Sequence, residues 1–328
     1  MLIKQQTSRK DHCQQSKASH NRMECLIAIV GPTAIGKSEL ALRLAQNFPV
    51  EIVSADSRQV YRYMDIGTSK PTTGERASVP HHLIDIVNPD EDFSQAMYYQ
   101  LATKAIKDIQ QKGKLPLLVG GSGLYVWSIL EGWKIPQVPP DVELRYNLES
   151  RANQEGSHIL YEELKHIDLT AAAKIHPANT RRIIRALEIY HVSGQLPSQL
   201  CHKEAPNFPV LVIGLTMERS ELYSKIDNRV DKMIKTGLLK EVEKLIKMGF
   251  NPSLPSMSGI GYKQIGQFIQ GQLTLPAAID KIKQETHHLA RHQYAWFHLD
   301  DKRIHWLDAS QFLSALDKAN DLIGDFIS

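Results

Sequence analysis

At 328 residues, with 42% hydrophobic and 23% charged side chains, the chain has an ordinary globular composition and room for about two domains. No apolar run approaches the ~20 residues of a membrane span, which argues against a membrane partner. Three cysteines (Cys13, Cys25 and Cys201), with no CxxC pair and no zinc spacing, argue against a disulfide framework and fit the cytoplasm. The net charge of +3 leans only weakly toward an anionic partner.

In chain order, residues 1–22 are Lys/Gln/Ser/Arg-rich and have no apolar core segment, so they read as a disordered leader and not as a secretory signal. Leu26 to Val30 reads as a strand. It runs into Gly31, Pro32, Thr33, Ala34, Ile35, Gly36, Lys37 and Ser38, after which Leu40, Ala41, Leu44, Ala45 and Phe48 recur at helical spacing. Strand, G-x-x-x-x-G-K-[ST] loop and helix together make a phosphate cradle. Its backbone N–H groups and helix N-terminus face phosphate oxygens, Lys37 is a point charge, and the Ser38 hydroxyl can hold Mg²⁺.

Val50 to Val53 reads as a second parallel strand. Asp56 then emerges at its carboxyl end, beside the loop, where a carboxylate can take a proton or help to hold a metal. Ser57, Arg58 and Gln59 follow it. Residues 62–93 are rich in Gly, Pro, Thr and Asp and read as loops. Within them His81-His82 lacks a third metal ligand at a recognisable spacing. Ser94 caps a helix to Gln111, with Tyr98, Leu101, Ala102, Ala105, Ile106 and Ile109 on its buried face. Leu115 to Val119 is a third strand, ending in Gly120-Gly121-Ser122-Gly123 where a phosphate-loop ATPase usually has an Asp for Mg²⁺. A glycine-lined opening with one hydroxyl suits a close-fitting organic substrate.

Pro-rich passages at 132–140 and 194–209 bracket a helical stretch. It ends in a helix carrying Arg181, Arg182 and Arg185, with Ile183, Ile184, Leu187 and Tyr190 buried. Arginines at a helix N-terminus oppose the macrodipole and call for an anion; an Arg185–Glu188 pair on a solvated face is the plainer alternative. Val210 to Gly214 is a strand again. The expected fold is therefore α/β: a P-loop NTPase-like parallel sheet core over 23–135 and 208–328, with an inserted all-helical lobe over 136–207. Helices at 220–235 and 238–248 follow, then a loop, 250–265, holding Tyr262, Lys263 and Gln264. A helix from Pro276 carries Lys281, Lys283, His287, His288, Arg291 and His292, a basic stripe suited to a phosphate backbone or simply a solvated face. The tail over 304–328 reads as an amphipathic helix.

Taken together, these motifs resemble the tRNA dimethylallyltransferase (isopentenyl-tRNA transferase) family. The matching segments are GPTAIGKS at 31–38, SADSRQVY at 54–61, DIGTSKP at 65–71, PHHLID at 80–85, LVGGSGLY at 118–125, RRIIRALE at 181–188 and GIGYKQ at 259–264. The resemblance implies transfer of a dimethylallyl group from dimethylallyl pyrophosphate to N6 of the adenosine just 3′ of a tRNA anticodon. It implies that the phosphate loop holds the isoprenoid pyrophosphate and that Asp56 is the general base. Ser57, Arg58 and Gln59 belong to the same tRNA-facing segment. Ser122 stands where the family usually has Thr. Arg145 matches an arginine at the substrate channel. Arg181, Arg182, Ile183, Ile184 and Arg185 match a tRNA-gripping segment whose first residue is commonly Gln. Without the zinc finger of many eukaryotic members, the likeness is to the bacterial type, expected to be a monomer whose partners are Mg²⁺, the pyrophosphate and the anticodon stem–loop. Two alternatives are a phosphate-loop kinase or NTPase, and a non-catalytic tRNA-binding protein that uses the loop only for structure.

Overall fold

The computed structural model describes residues 24–136 and 138–328. The expected leader over 1–22 lies outside them. In chain order the elements are β1 (Leu26–Val30), α1 (Lys37–Leu44), β2 (Val50–Ser54), α2 (Thr73–Ser78), β3 (His81–His82), α3 (Gln95–Gln111), β4 (Leu115–Val119) and α4 (Gly123–Leu130). There follow α5 (Val142–Glu155), α6 (Ser157–Ile167), α7 (Leu169–Ala172), α8 (Thr180–Ser193), α9 (Pro197–Leu200) and β5 (Val210–Thr216). The chain ends with α10 (Arg219–Thr236), α11 (Leu238–Lys247), α12 (Tyr262–Ile269), α13 (Leu275–Tyr294), β6 (Ile304–Asp308) and α14 (Phe312–Ile327).

The described residues fall into two compact units, 24–127 with 207–328 and 128–206. The first is built on one six-stranded sheet in the order β3-β2-β4-β1-β5-β6, every neighbouring pair parallel. Every residue of β1, β2 and β4 is buried. Crossover helices cover both faces of a parallel sheet, so its strands read as unbroken apolar runs and not as alternation. The exception, Glu51 in β2, is 2% exposed and survives because Lys112, Lys114 and His82 converge on its carboxylate. His82 is thereby a structural partner, and His81 turns its Nδ1 to the Val79 carbonyl at 2.7 Å.

Four parts of the unit differ from expectation. The region 62–93 is not all loop: Thr72 and Glu75 form a capping box that starts α2, and the two residues of β3 pair with β2. The tail contributes a strand, β6, as well as its helix. Tyr262 and Gln264 lie in the first turn of α12, both buried. On α3 the expected face is buried except for Leu101, which is exposed.

The second unit is helical, α5 to α9 around Leu148, Leu160, Leu164, Ile183, Ile184 and Leu187. Asp168 caps α7 through the Ala171 N–H and also accepts the Ser198 N–H, joining α7 to α9. Tyr190 is only half-buried.

Candidate active site

In parallel α/β sheets the carboxyl ends of the central strands open onto the ligand crevice. Here β1 ends in the 31–38 loop, β2 in Ala55-Asp56 and β4 in Gly120–Gly123. The 31–38 loop holds Ala34 and Gly36 at positive φ, 64° and 106°. Gly36 is the N-cap of α1 and offers no side-chain acceptor, so the first N–H groups of that helix are left for an outside anion. Lys37 Nζ donates to the carbonyls of Gly31, at 3.0 Å, and Pro32, at 2.6 Å. Burial, and after it the nearby Arg229, pull its pKa down against the opposing Asp56 carboxylate, and the balance stands at about 7. A bound polyanion would restore the charge.

Asp56 is held by its neighbours in a fixed direction. Its Oδ1 accepts the Arg58 N–H at 2.8 Å. Arg58 is anchored in turn on the Pro255 carbonyl at 2.8 Å. Gln59 accepts the Ser54 hydroxyl at 2.9 Å and donates to the carbonyls of Thr68 and Ser69, tying the 65–71 loop to the end of β2. The Ser57 N–H donates to Ser122 Oγ at 3.0 Å, and the Ser122 N–H donates to the Ala55 carbonyl at 3.2 Å. The ends of β2 and β4 can close this far only because residue 120 is glycine: a Cβ there would stand 2.1 Å from the Ala55 carbonyl oxygen.

These pieces line one cavity of about 1220 Å³ in the first unit. Lys37, Ser38, Asp56, Ser57, Arg58, Gln59 and Ser122 all face it. The phosphate loop and the carboxylate thus share a single chamber, and the pull of Asp56 on both Lys37 and Arg229 reflects their proximity.

Sequence reasoning missed two of its lining residues. Arg229 of α10 is half-buried in the chamber wall, where desolvation lowers its pKa against the opposing effect of Asp56, and its Nη1 donates to Thr33 Oγ1 at 3.4 Å. Gln293 of α13 is 7% exposed. Both carried a usable signal. Arg229 stands on the stripe of buried Leu222, Ile226 and Val230, and Gln293 stands one turn after buried Ala290. A charged or amide side chain on an apolar helical face needs a partner, and that partner is often functional. The basic stripe of α13, by contrast, is partly engaged within the unit. Lys283 pairs with Asp231 at 2.8 Å, His287 Nε2 lies 2.9 Å from Asp227, and Arg291 donates to the Tyr223 hydroxyl at 2.8 Å.

The remaining expected site residues belong to the second unit. Arg145 makes a two-pronged contact with Glu188, Nε to Oε1 at 2.7 Å and Nη2 to Oε2 at 2.9 Å. Arg185 also pairs with Glu188 and donates to the Val138 carbonyl. The plainer Arg185–Glu188 alternative is therefore realised. Arg181 and Arg182 are exposed, whereas Ile183 and Ile184 are buried core residues. Asn179 caps the helix through the Arg182 N–H.

Residues 59–300 match the family description "IPP transferase". The tRNA dimethylallyltransferase of Thermomicrobium roseum is 49% identical over 89% of this chain and 88% of its own length. That of Roseiflexus castenholzii is 53% identical over 83% and 89%. Among solved structures, the tRNA isopentenylpyrophosphate transferase of Bacillus halodurans superposes with a TM-score of 0.69 at 41% identity, covering 93% of this chain and 97% of that one. A eukaryotic dimethylallyltransferase acting on tRNA superposes with a TM-score of 0.76 at 27% identity, covering 92% and 80%.

Proposed function

The chain belongs to the tRNA dimethylallyltransferase family, and we propose that its reaction runs in the cavity shared by the phosphate loop and Asp56. The enzyme transfers a dimethylallyl group to N6 of an adenosine in tRNA. In this reading the donor is dimethylallyl pyrophosphate and the acceptor is the adenosine immediately 3′ of the anticodon. The observation that carries it is the single chamber lined by both Lys37 and Asp56.

The adenine amine is a weak nucleophile because its lone pair is delocalised into the ring. The allylic carbon becomes a strong electrophile as its diphosphate departs. The N6 lone pair forms the new C–N bond while the C–O bond to the diphosphate breaks, and the N6 proton passes to the Asp56 carboxylate. Lys37, Arg229 and the loop N–H groups meet the charge that grows on the leaving group. The glycine-lined wall at 120–123 lets the allyl group lie close against the backbone. An adenine stacked in an anticodon loop cannot react, so the base is extruded into the cavity.

The donor set fits Mg²⁺. This ion usually takes one or two protein oxygens and draws the rest of its shell from substrate phosphates and water. The Ser38 hydroxyl lines the chamber and would supply the protein oxygen. Among the described residues no cluster of three or more His, Cys, Asp or Glu could hold a metal ion. When bound, Mg²⁺ would neutralise part of the diphosphate charge.

The exposed Arg181 and Arg182 are the tRNA-backbone contacts of this reading, and the 128–206 unit is its tRNA-gripping lobe. The enzyme is taken to act as a monomer in the cytoplasm. Among the described residues no helix is long and apolar enough to cross a membrane.

Mass analysis of nucleosides from tRNA incubated with the protein, dimethylallyl pyrophosphate and Mg²⁺ tests the reading. The expected product is N6-dimethylallyladenosine. Hydrolysis of ATP or phosphoryl transfer without that product would establish the kinase alternative instead.

A further inference from the structure

The two glycine-rich loops of the chamber are bridged by one side chain. Gln293 Oε1 accepts the Thr33 N–H at 2.7 Å, and Gln293 Nε2 donates to the Gly121 carbonyl at 2.9 Å. The partners fix which end of the amide is which, since one is a donor and the other an acceptor. The fit is close. A Cβ on Gly121 would stand 2.2 Å from Gln293 Nε2, so that glycine is required for the approach. The next residue, Ser122, receives the Ser57 N–H beside Asp56. A hydrogen-bonded path thus runs from the phosphate loop through Gln293, the 121–122 peptide and Ser122 to the Asp56 turn.

We propose that Gln293 is a positioning residue for the transfer: it sets the separation between the diphosphate cradle and the base-bearing turn. This rests on the reading of the reaction given above. Two consequences follow from the bonds. The Thr33 N–H is committed to Gln293, so diphosphate is held by the later N–H groups of the loop together with Lys37 and Arg229. And because Gln293 touches both loops but neither reacting atom, its loss misaligns bound substrates without removing a binding group. Misplacement of reactants by ~1 Å can cost on the order of 10²-fold in rate.

Gln293→Met keeps the length of the side chain and removes both hydrogen bonds. The expected result, in a single-turnover assay on variant shown to be folded at the assay temperature, is a fall in kcat on the order of 10²-fold, with the KM for dimethylallyl pyrophosphate and the Kd for tRNA within about threefold of the unaltered protein. A merely structural role would lower the melting temperature and leave kcat of the folded fraction unchanged.

A second pair of variants keeps the test open if Gln293→Met folds poorly. Gly121→Ala should slow transfer because its Cβ meets the Gln293 amide, whereas in a Gln293→Ala background the same change should add less than about threefold. A normal kcat in Gln293→Met, or strictly additive losses in the pair, would overturn the proposal while leaving the reaction itself intact. Failure of the unaltered protein to prenylate tRNA would overturn the reaction reading and this proposal with it.

Discussion

Lys37 is caught between two demands. Burial disfavours its charged form and holds its pKa near 7, yet its task in the loop is to meet an anion. The sign of the linkage follows. With the folded-state value depressed, the free protein holds the amine largely neutral above pH 7, and a diphosphate binding beside it raises the value again. Binding must then take up a proton, so affinity falls as pH rises. Calorimetry of dimethylallyl pyrophosphate binding in two buffers of different ionisation heat, at about pH 8 where the diphosphate ester is already fully ionised, should show uptake approaching one proton. Uptake near zero would mean that Lys37 is already charged in the free protein. Arg229, half-buried in the same chamber, makes a companion prediction. Arg229→Gln should raise the KM for dimethylallyl pyrophosphate about tenfold or more, as for loss of a charged hydrogen-bonding partner, and leave tRNA affinity unchanged in a direct titration.

Among the elements, α11 does more than close the core. Glu241 accepts the N–H groups of Asp65, Ile66 and Gly67, at 3.0, 2.8 and 3.2 Å, and the Tyr262 hydroxyl at 2.6 Å. It pins the start of the 65–71 loop, part of the chamber wall, onto α12. Glu241→Ala should lower the unfolding free energy by about 2–4 kcal/mol in urea titration, because three N–H groups and a hydroxyl lose a charged acceptor. Glu241→Gln, which keeps an acceptor, should lose less than half of that. The loop at 31–38, β1, β4 and the Ser94 cap of α3 were legible because each is encoded within a few consecutive residues. Elements that depend on distant partners were not. The two residues of β3 carry no periodicity of their own. The strand β6 has a mixed burial pattern and exists through its pairing with β5. Tyr262 looks like a loop donor until α11 supplies Glu241. Thr33 and Gln293 are 260 residues apart, beyond any motif.

At the scale of the molecule, the phosphate chemistry resides in the sheet unit and the arginine-rich helix in the helical one. The helical unit begins at Ser128, inside α4, earlier than the composition-based start at 136, because a helix that crosses a boundary leaves no Pro- or Gly-rich signal there. The three arginines that sequence placed on one helix, Arg181, Arg182 and Arg185, separate by partner. Arg181→Ala and Arg182→Ala should each reduce the slope of log affinity for tRNA against log salt by about one, since their side chains are exposed. Arg145 and Arg185 are engaged with the buried Glu188, so Arg185→Ala should change the salt slope less and cost stability of the helical unit instead, read as a lower midpoint in urea. Unequal slopes in the opposite sense would reassign the contact surface.

The most direct measurement of whether leaving group and base act in one chamber is single-turnover prenyl transfer by Asp56→Ala, with dimethylallyl pyrophosphate and tRNA binding titrated separately. The expected result is near-normal affinity for both substrates and a rate about two to four orders of magnitude below that of the unaltered protein, the range for a lost general base. Transfer within threefold of the unaltered rate would contradict it.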